Sequence, residues 1–260
     1  MQSLIFDKKK QKENLERFLN QFIFNDFLYR IGAEIIFDCA IRSNCKIDNL
    51  LLYGYFGRYP KKFYNFTRKI TQAFIVQSIP NIDKADFVSC SEESLPFESN
   101  TFDMAFSNLS LHFINNIQLA LINYNKLLKK DSVFAGTILG DYSFFELRES
   151  FNYADEKLYG GIFSRIMPMI NSQSIINLMN AHGFHNTVVH VETLNIQYNN
   201  IIDALRDLRQ IGFNNFLINS TKPISSNFLK IAEDYYYKNY AIDNKLNLTL
   251  DIIVFSSLKK

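Results

Sequence analysis

Residues 107–116 form a polar loop that is well placed for chemistry. The loop follows an apolar run at residues 102–106 and contains His112. Histidine is the side chain whose ordinary pKa lets it act as a base near neutral pH. Because ligands in open α/β sheets bind outside the carboxyl ends of the strands, we expect this loop to border a ligand. His112 is therefore a candidate, either for lining a pocket or for acid–base work.

Arg165 is a second candidate. It lies in residues 160–168, Gly-Gly-Ile-Phe-Ser-Arg-Ile-Met-Pro, which interrupt the helical pattern around them. A guanidinium group offers a planar fork of donors that can bind a carboxylate. The alternative is a surface arginine that pairs with a nearby acidic residue.

A strand and a helix position the loop that holds His112. Residues 102–106 are apolar except for Asp103, which predicts a buried strand. After the loop, apolar side chains recur at the spacing of an amphipathic helix. They are Ile117, Leu121, Tyr124, Leu127 and Leu128. Strand, loop and helix make half of a βαβ unit, which predicts an α/β fold.

The rest of the chain alternates in the same way. Further strands are predicted at 49–53, 73–76, 87–90, 132–139, 185–191 and 246–255. Helices are predicted as a pair within residues 1–43 and at 59–69, 142–153, 174–182, 201–211 and 227–240. The last strand is long and alternating, so we expect it to pair antiparallel within the sheet.

Composition excludes several classes of protein. The chain has 260 residues, 47% of them hydrophobic, and 28 basic against 26 acidic side chains. This balance argues against a nucleic-acid partner. Cys39, Cys45 and Cys90 form no Cys-x-x-Cys pair, so we expect no metal site and a reducing compartment. No apolar run is long enough to span a membrane or serve as a signal peptide, and we expect a cytoplasmic protein.

The central segment resembles a known family. Residues 95–113 read LPFESNTFDMAFSNLSLHF. With the helix that follows, they resemble the middle of a class I S-adenosylmethionine (SAM) methyltransferase of the type 11 group. The similarity is greatest to the branch of the malonyl-ACP O-methyltransferase of biotin synthesis and the methyltransferase-like assembly factor of respiratory complex I. Asp207-Leu208-Arg209, with Gly212 and Asn215, resembles a signature of that branch.

The resemblance implies a fold and a domain organisation. The fold would be a seven-stranded, mostly parallel, Rossmann-like methyltransferase sheet with N-terminal helices and a helical cover. Residues 1–43 would form an N-terminal helical cap. Residues 44–260 would form the class I methyltransferase-like domain, with cover segments at 141–170 and 199–240. In the family the first of these closes over the substrate pocket, which would make His112 and Arg165 substrate-binding residues.

The resemblance also implies where SAM would bind. Gly54 stands where the first glycine of the family's loop belongs, while Phe56 and Arg58 replace the next two. Leu52 replaces an acidic residue, and no acid follows the second strand. The matching cofactor-binding candidates are Gly54, Gly57, Gln77, Ser78, Ser91, Glu92 and Ser107.

The altered residues predict weak or lost SAM binding. A hydrogen bond to a charged group contributes about 1.5–3 kcal/mol. Losing two of them would weaken SAM by roughly two to four orders of magnitude, at about 1.4 kcal/mol per tenfold. Phe56 must either turn away from the cofactor site or occupy it. Arg58 adds a positive charge with no neighbouring acid in the sequence.

Three functions follow from these observations. The favoured one is a pseudo-enzyme that binds a protein partner, such as a respiratory-complex subunit or an acyl carrier protein. The second is an active SAM-dependent O-methyltransferase acting on a small carboxylate or an acyl carrier protein. The third is an arginine hydroxylase-like assembly factor.

Overall fold

A computed structural model describes residues 4–21, 26–42, 47–65, 67–79, 85–210, 212–213, 217–218 and 222–260. Cys45 and Asn215, both singled out in the sequence, lie outside the described residues.

The described strands lie in one sheet. They are β1 (Ile47–Gly54), β2 (Thr67–Phe74), β3 (Asp86–Ser89), β4 (Phe102–Asn108), β5 (Leu128–Leu139), β6 (Phe184–Tyr198), β7 (Ala241–Ile242) and β8 (Lys245–Lys259). The order across the sheet is β3-β2-β1-β4-β5-β8-β6, and the short β7 pairs with β8. Strands β1 to β5 pair in parallel, whereas β8 is antiparallel to β5 and β6. The predicted α/β class and mostly parallel sheet are confirmed.

The helices described lie before, between and after these strands. They are α1 (Lys8–Gln21), α2 (Phe27–Arg42), α3 (Pro60–Phe63), α4 (Ile117–Leu127), α5 (Phe145–Tyr159), α6 (Ser172–Ala181), α7 (Ile201–Gln210) and α8 (Ser226–Tyr240). Among the described residues, no helix is long and apolar enough to cross a bilayer.

The connection between β1 and β2 corrects the sequence analysis. A helix was expected at 59–69, but only Pro60–Phe63 is helical, and β2 begins at Thr67. Strand β2 pairs with β1 from Ile47↔Thr67 to Tyr53↔Ala73. Strand β2 contains the β-branched residues Thr67, Ile70 and Thr71, which favour strand, and its pairing with β1 outweighs the weak helical pattern at 59–69.

Two apolar clusters hold the layers together. The larger joins α1, helices α5 to α8 and much of the sheet, and it contains Phe18, Tyr55 and Phe213. The smaller lies between α2, α3 and the sheet, and it contains Ile36 and Phe56.

The segment before α1 is attached to distant parts of the chain. Phe6 forms an isolated antiparallel bridge with Leu217. The Asn115 side chain accepts hydrogen bonds from the backbone N–H groups of Ile5 and Phe6, both at 2.8 Å, and donates to the Phe6 carbonyl at 3.1 Å. These contacts place α1 above the carboxyl ends of the central strands.

Candidate functional site

Gly54 ends β1 beside β4. It pairs with Asn108 in the parallel ladder, and its φ is 103°. A Cβ atom at Gly54 would lie 2.6 Å from the Asn108 carbonyl oxygen. Glycine is therefore required here by the approach of two strands, independently of any ligand.

Asn108 links three elements at the same edge of the sheet. Its side-chain nitrogen donates to the carbonyls of Tyr29 at 2.9 Å and Tyr55 at 2.7 Å. Its oxygen accepts from the Thr137 hydroxyl at 2.8 Å. A Cβ atom on Gly32 would come within 2.2 Å of that oxygen, so α2 lies directly against it. This buried amide fixes α2 over the end of β1.

Aromatic rings pack above this edge and form what we call the aromatic plug: Phe18, Tyr29, Tyr55 and Phe213. Phe18 stacks on Tyr29 with ring centroids 5.1 Å apart, and both meet Tyr55 edge-on. Phe213 lies 6.2 Å from Tyr29. All four are buried. The carboxyl end of β1 is thus covered by side chains of the chain itself.

Phe56 turns away from the plug. It is fully buried in the smaller cluster, among residues of α2, α3 and the sheet. Of the two alternatives expected for this residue, the structure shows the first. The side chain that covers the end of β1 belongs to its neighbour Tyr55.

An acid does lie beside the loop after β1, contrary to expectation. Asp26, just before α2, has a carboxylate oxygen 3.2 Å from where a Cβ atom on Gly57 would be. Burial raises the pKa of the Tyr55 hydroxyl, and the negative charge of Asp26 raises it further. Arg58 is exposed. The sequence did not reveal this acid because it is distant from the loop along the chain.

The residues after β2 face α1. Gln77 and Ser78 are exposed, whereas Val76 and Ile79 are buried. The Gln77 backbone N–H donates to Glu16 of α1 at 3.3 Å. A carboxylate therefore stands near the end of β2, but it comes from the helical cap.

Glu92 is the centre of a buried network. Its carboxylate accepts from the hydroxyls of Ser107 at 2.8 Å, Ser110 at 2.7 Å and Tyr124 at 2.7 Å. Burial raises the pKa of Glu92, while the three hydroxyl donors oppose that shift. Ser91 caps the short turn at Glu92–Ser94 by accepting from the Glu93 N–H. Ser107 and Glu92 thus bind each other across the ends of β3 and β4.

His112 is buried and uncharged. Burial lowers its pKa from 6.5 to about 3. The Leu139 N–H donates weakly to Nδ1 at 3.5 Å, which leaves the proton on Nε2. Nε2 has no hydrogen-bond partner among the described residues. The ring stacks on Phe213 at 5.5 Å. So low a pKa makes His112 a poor base at neutral pH.

Arg165 forms a buried ion pair. Its Nε and Nη2 atoms donate to Asp155 at 2.8 Å and 2.6 Å, and Nη1 donates to the Lys222 carbonyl at 2.9 Å. The guanidinium carbon lies 4.1 Å from the Phe228 ring centroid. The alternative of an arginine paired with an acid is what the structure shows, although the pair is buried. Substrate binding by Arg165 stays a prediction.

A cavity of about 740 Å³ opens beside Arg165, between α1, α5 and α7. Basic and apolar side chains line it, and no acidic residue is among the described lining residues. The basic ones are Lys10, Arg17, Arg165, Arg206 and Arg209. The apolar ones include Phe144, Leu147, Phe151, Met167, Leu208 and Phe213.

The predicted site residues do not meet in one pocket. Of all of them, Arg165 lines this cavity, and His112 contacts Phe213, which also lines it. The cofactor candidates from Gly54 to Ser107 are absent from the described lining of the cavity. The described residues contain no group of three potential metal ligands. Sequence reasoning missed Asp155 and Phe213 because neither stands in a motif.

Comparisons with known proteins find both related sequences and related structures. Residues 67–136 match the type 11 methyltransferase domain. The mitochondrial arginine hydroxylase NDUFAF5 of Danio rerio is 32% identical over 156 residues, which span 60% of this chain and 49% of the fish protein. The Mus musculus protein of that name is 28% identical over 247 residues, or 91% of this chain and 71% of its own length.

The malonyl-[acyl-carrier protein] O-methyltransferase of Gallionella capsiferriformans is 24% identical over 168 residues, spanning 64% of this chain and 55% of that protein. Among solved structures, the YcgJ protein of Bacillus subtilis has a TM-score of 0.59 and 15% identity, covering 88% of this chain and 97% of its own. A Burkholderia thailandensis 1,6-didemethyltoxoflavin-N1-methyltransferase with bound S-adenosylhomocysteine (SAH) has a TM-score of 0.52 and 14% identity, covering 97% and 87%. These similarities show a class I methyltransferase-like fold, and they support the resemblance to the type 11 group and to the branch that includes NDUFAF5 and the malonyl-ACP O-methyltransferase.

Proposed function

We propose that this protein keeps the methyltransferase fold but does not use SAM, and that it acts by binding a partner. The observation that carries the proposal is the aromatic plug. Phe18, Tyr29 and Tyr55 are 3%, 0% and 2% exposed at the carboxyl end of β1. Ligands of open α/β sheets bind at that edge. Space filled by packed rings is not free for a cofactor.

The polar groups at this edge do not fit SAM either. Gly54, which would let a cofactor approach, is already against β4. The amide of Asn108 is bonded to Tyr29, Tyr55 and Thr137. The hydroxyl of Ser107 is bonded to Glu92 inside the protein. The side chains of Asn108 and Ser107 therefore have no donor left for a ribose or an amino-acid group.

The partner is proposed as a protein, such as a respiratory-complex subunit or an acyl carrier protein. The names of the relatives support this: one is mitochondrial and carries the name NDUFAF5, and another acts on an acyl carrier protein. The cytoplasmic location expected from the sequence stays a prediction, because the NDUFAF5 relatives are named as mitochondrial.

Calorimetric titration with SAM and with SAH tests the proposal. We expect no binding tighter than about 100 μM, a free energy near −5.5 kcal/mol. The variant Phe18→Ala, titrated in parallel, reports whether removing one ring of the plug makes room. A micromolar dissociation constant for the unmodified protein would return it to the active methyltransferases.

An active methyltransferase is the second candidate, because of two acids from the helical cap. Glu16 lies near the end of β2, and Asp26 lies beside Gly57. Glu16 is near the place after β2 where the chain lacks the family's acid, and Asp26 is beside the loop that follows Leu52, where the other acid is missing. If the second candidate holds, SAM binds the unmodified protein, and Glu16→Gln and Asp26→Asn each weaken it. Asp38→Asn, on α2, is the matched control.

Arginine hydroxylation, for which the NDUFAF5 relatives are named, is the third candidate. A site for an arginine side chain needs a carboxylate or another acceptor to offset the guanidinium charge. The described lining of the large cavity holds five basic residues and no acidic one. The cavity therefore disfavours an arginine substrate.

A further inference from the structure

We infer that the 740 Å³ cavity binds a small amphipathic anion, an aliphatic chain ending in a carboxylate or phosphate. Pockets of this size accommodate small organic ligands. The inference goes beyond the proposed function and does not depend on whether SAM binds.

The basic residues at the cavity are the first reason to expect an anionic ligand. Two of its five basic residues are neutralised, since Arg165 pairs with Asp155 and Arg206 pairs with Asp203. Lys10, Arg17 and Arg209 form no ion pair with any described residue. The undescribed stretches contain a single acidic residue, Asp83. Three cations therefore face the cavity without a counter-charge from the described chain, which favours an anion.

The arrangement of polar and apolar groups determines which end of the ligand lies at the mouth of the cavity. Lys10, Arg17 and Arg209 are exposed, which places them at the mouth. Buried apolar side chains form the interior: Phe144, Leu147, Phe151, Met167, Leu208 and Phe213. A head group at the mouth would meet charge and water, while a chain inside would meet apolar side chains and the ion-paired guanidinium of Arg165.

The interior excludes a ligand that is polar throughout. The guanidinium of Arg165 lies there, but three of its five N–H donors are bound to Asp155 and the Lys222 carbonyl. A polar group placed deep in the cavity would lose its hydrogen bonds to water without replacement. Ile202 and Ile224 also line the cavity and are 52% and 48% exposed. They extend the apolar surface to the mouth, as expected for a site that admits a chain.

Displacement of the fluorophore anilinonaphthalene sulfonate from the full chain, without SAM, tests the inference. The competitors share one alkyl chain and differ in head group: dodecanoate, dodecyl phosphate, dodecanol and dodecyltrimethylammonium. We expect the two anions to compete most strongly, and the preferred head group distinguishes a carboxylate from a phosphate source. Equal competition by the ammonium compound, or competition by acetate, would overturn the inference.

Variants locate the site. The double change Arg17→Gln and Arg209→Gln should weaken dodecanoate by about fivefold or more, because each exposed charge contributes a factor of roughly two to five. Lys9→Gln removes an exposed lysine of α1 that does not line the cavity, and it should leave the affinity for dodecanoate unchanged. Leu205→Trp fills the cavity and should abolish binding of the chain. Unchanged affinity in the double variant would place the ligand elsewhere.

Discussion

The ring of Phe18 on α1 meets the ring of Tyr55 at 89°, with their centroids 5.6 Å apart. Tyr55 is the first residue after β1, so a helix of the N-terminal cap is in contact with the edge where a methyltransferase holds its cofactor. Edge-to-face aromatic pairs add about 0.5–1.5 kcal/mol beyond the burial of their area. The cap is therefore part of the core.

Phe18→Ala should destabilise the protein by about 3–5 kcal/mol, the usual cost of removing a buried phenylalanine. Urea unfolding followed by circular dichroism measures the change. Leu119→Ala, on an exposed face of α4, is a control expected to cost little. A loss no larger than that of the control would show that α1 does not pack on the sheet.

Phe56→Gly should leave SAM binding undetected. Phe56 faces α2 and α3, so its removal opens no space at the plug, and the carboxylates missing at Leu52 and Ser78 remain missing. Calorimetric titration of the folded variant with SAM, at reduced temperature, measures whether the cofactor binds. Micromolar binding after this change would mean that Phe56 had blocked the cofactor.

Gly54→Ala should destabilise the fold by roughly 2 kcal/mol or more, because a side chain at positive φ is strained and its Cβ would strike the β4 backbone. Gly161→Ala is the matched control, since no atom lies within 4 Å of its Cβ position. Thermal unfolding of the two variants compares them. Equal midpoints would contradict the close approach of β1 and β4.

Arg165→Met should cost about 3–5 kcal/mol, since it leaves Asp155 buried without its partner. The double change Arg165→Met and Asp155→Leu should recover much of that loss. Lys69→Met breaks an exposed pair with Asp86 and should cost less than about 1 kcal/mol. A double-mutant cycle of unfolding free energies gives the coupling. Additive losses in that cycle would show that the pair is not coupled.

The burial of His112 predicts an acid-sensitive fold. Its pKa is about 3 in the folded protein against 6.5 unfolded, so the unfolded state takes up the proton first as the pH falls. Stability attributable to His112 is complete above pH 6.5 and is lost progressively towards pH 3. From about pH 7 to about pH 5 this loss is roughly 2 kcal/mol. Measurements of the unfolding free energy at both pH values should show a smaller loss of stability for His112→Phe than for the unmodified protein.

Much of the fold could be predicted because its strands are marked by local patterns. The apolar run at 102–106 and the alternation at 246–255 are both strands in the structure. The helix expected at 59–69 was wrong because its weak periodicity competed with pairing to β1. Long-range strand pairing decides the secondary structure of such a segment, and a local sequence pattern does not reveal that pairing.

The candidate site could be predicted only in part. Phe56 and Arg58, in place of two glycines, predict a changed cofactor loop, and this stays a prediction. The sequence could not show that Phe56 turns away from the plug. It also could not show that Phe213 reaches Tyr29, because the two are far apart in the chain. The acid beside Gly57 comes from Asp26 for the same reason.

The attachment of the first helices to distant residues has a consequence for biosynthesis. Phe6 is bound to Asn115 and Leu217, and Tyr29 is packed against Phe213. The ribosome makes α1 and α2 long before it makes those partners. Their aromatic faces stay open to solvent until most of the polypeptide has emerged, and nascent chains in that state are the ones chaperones hold.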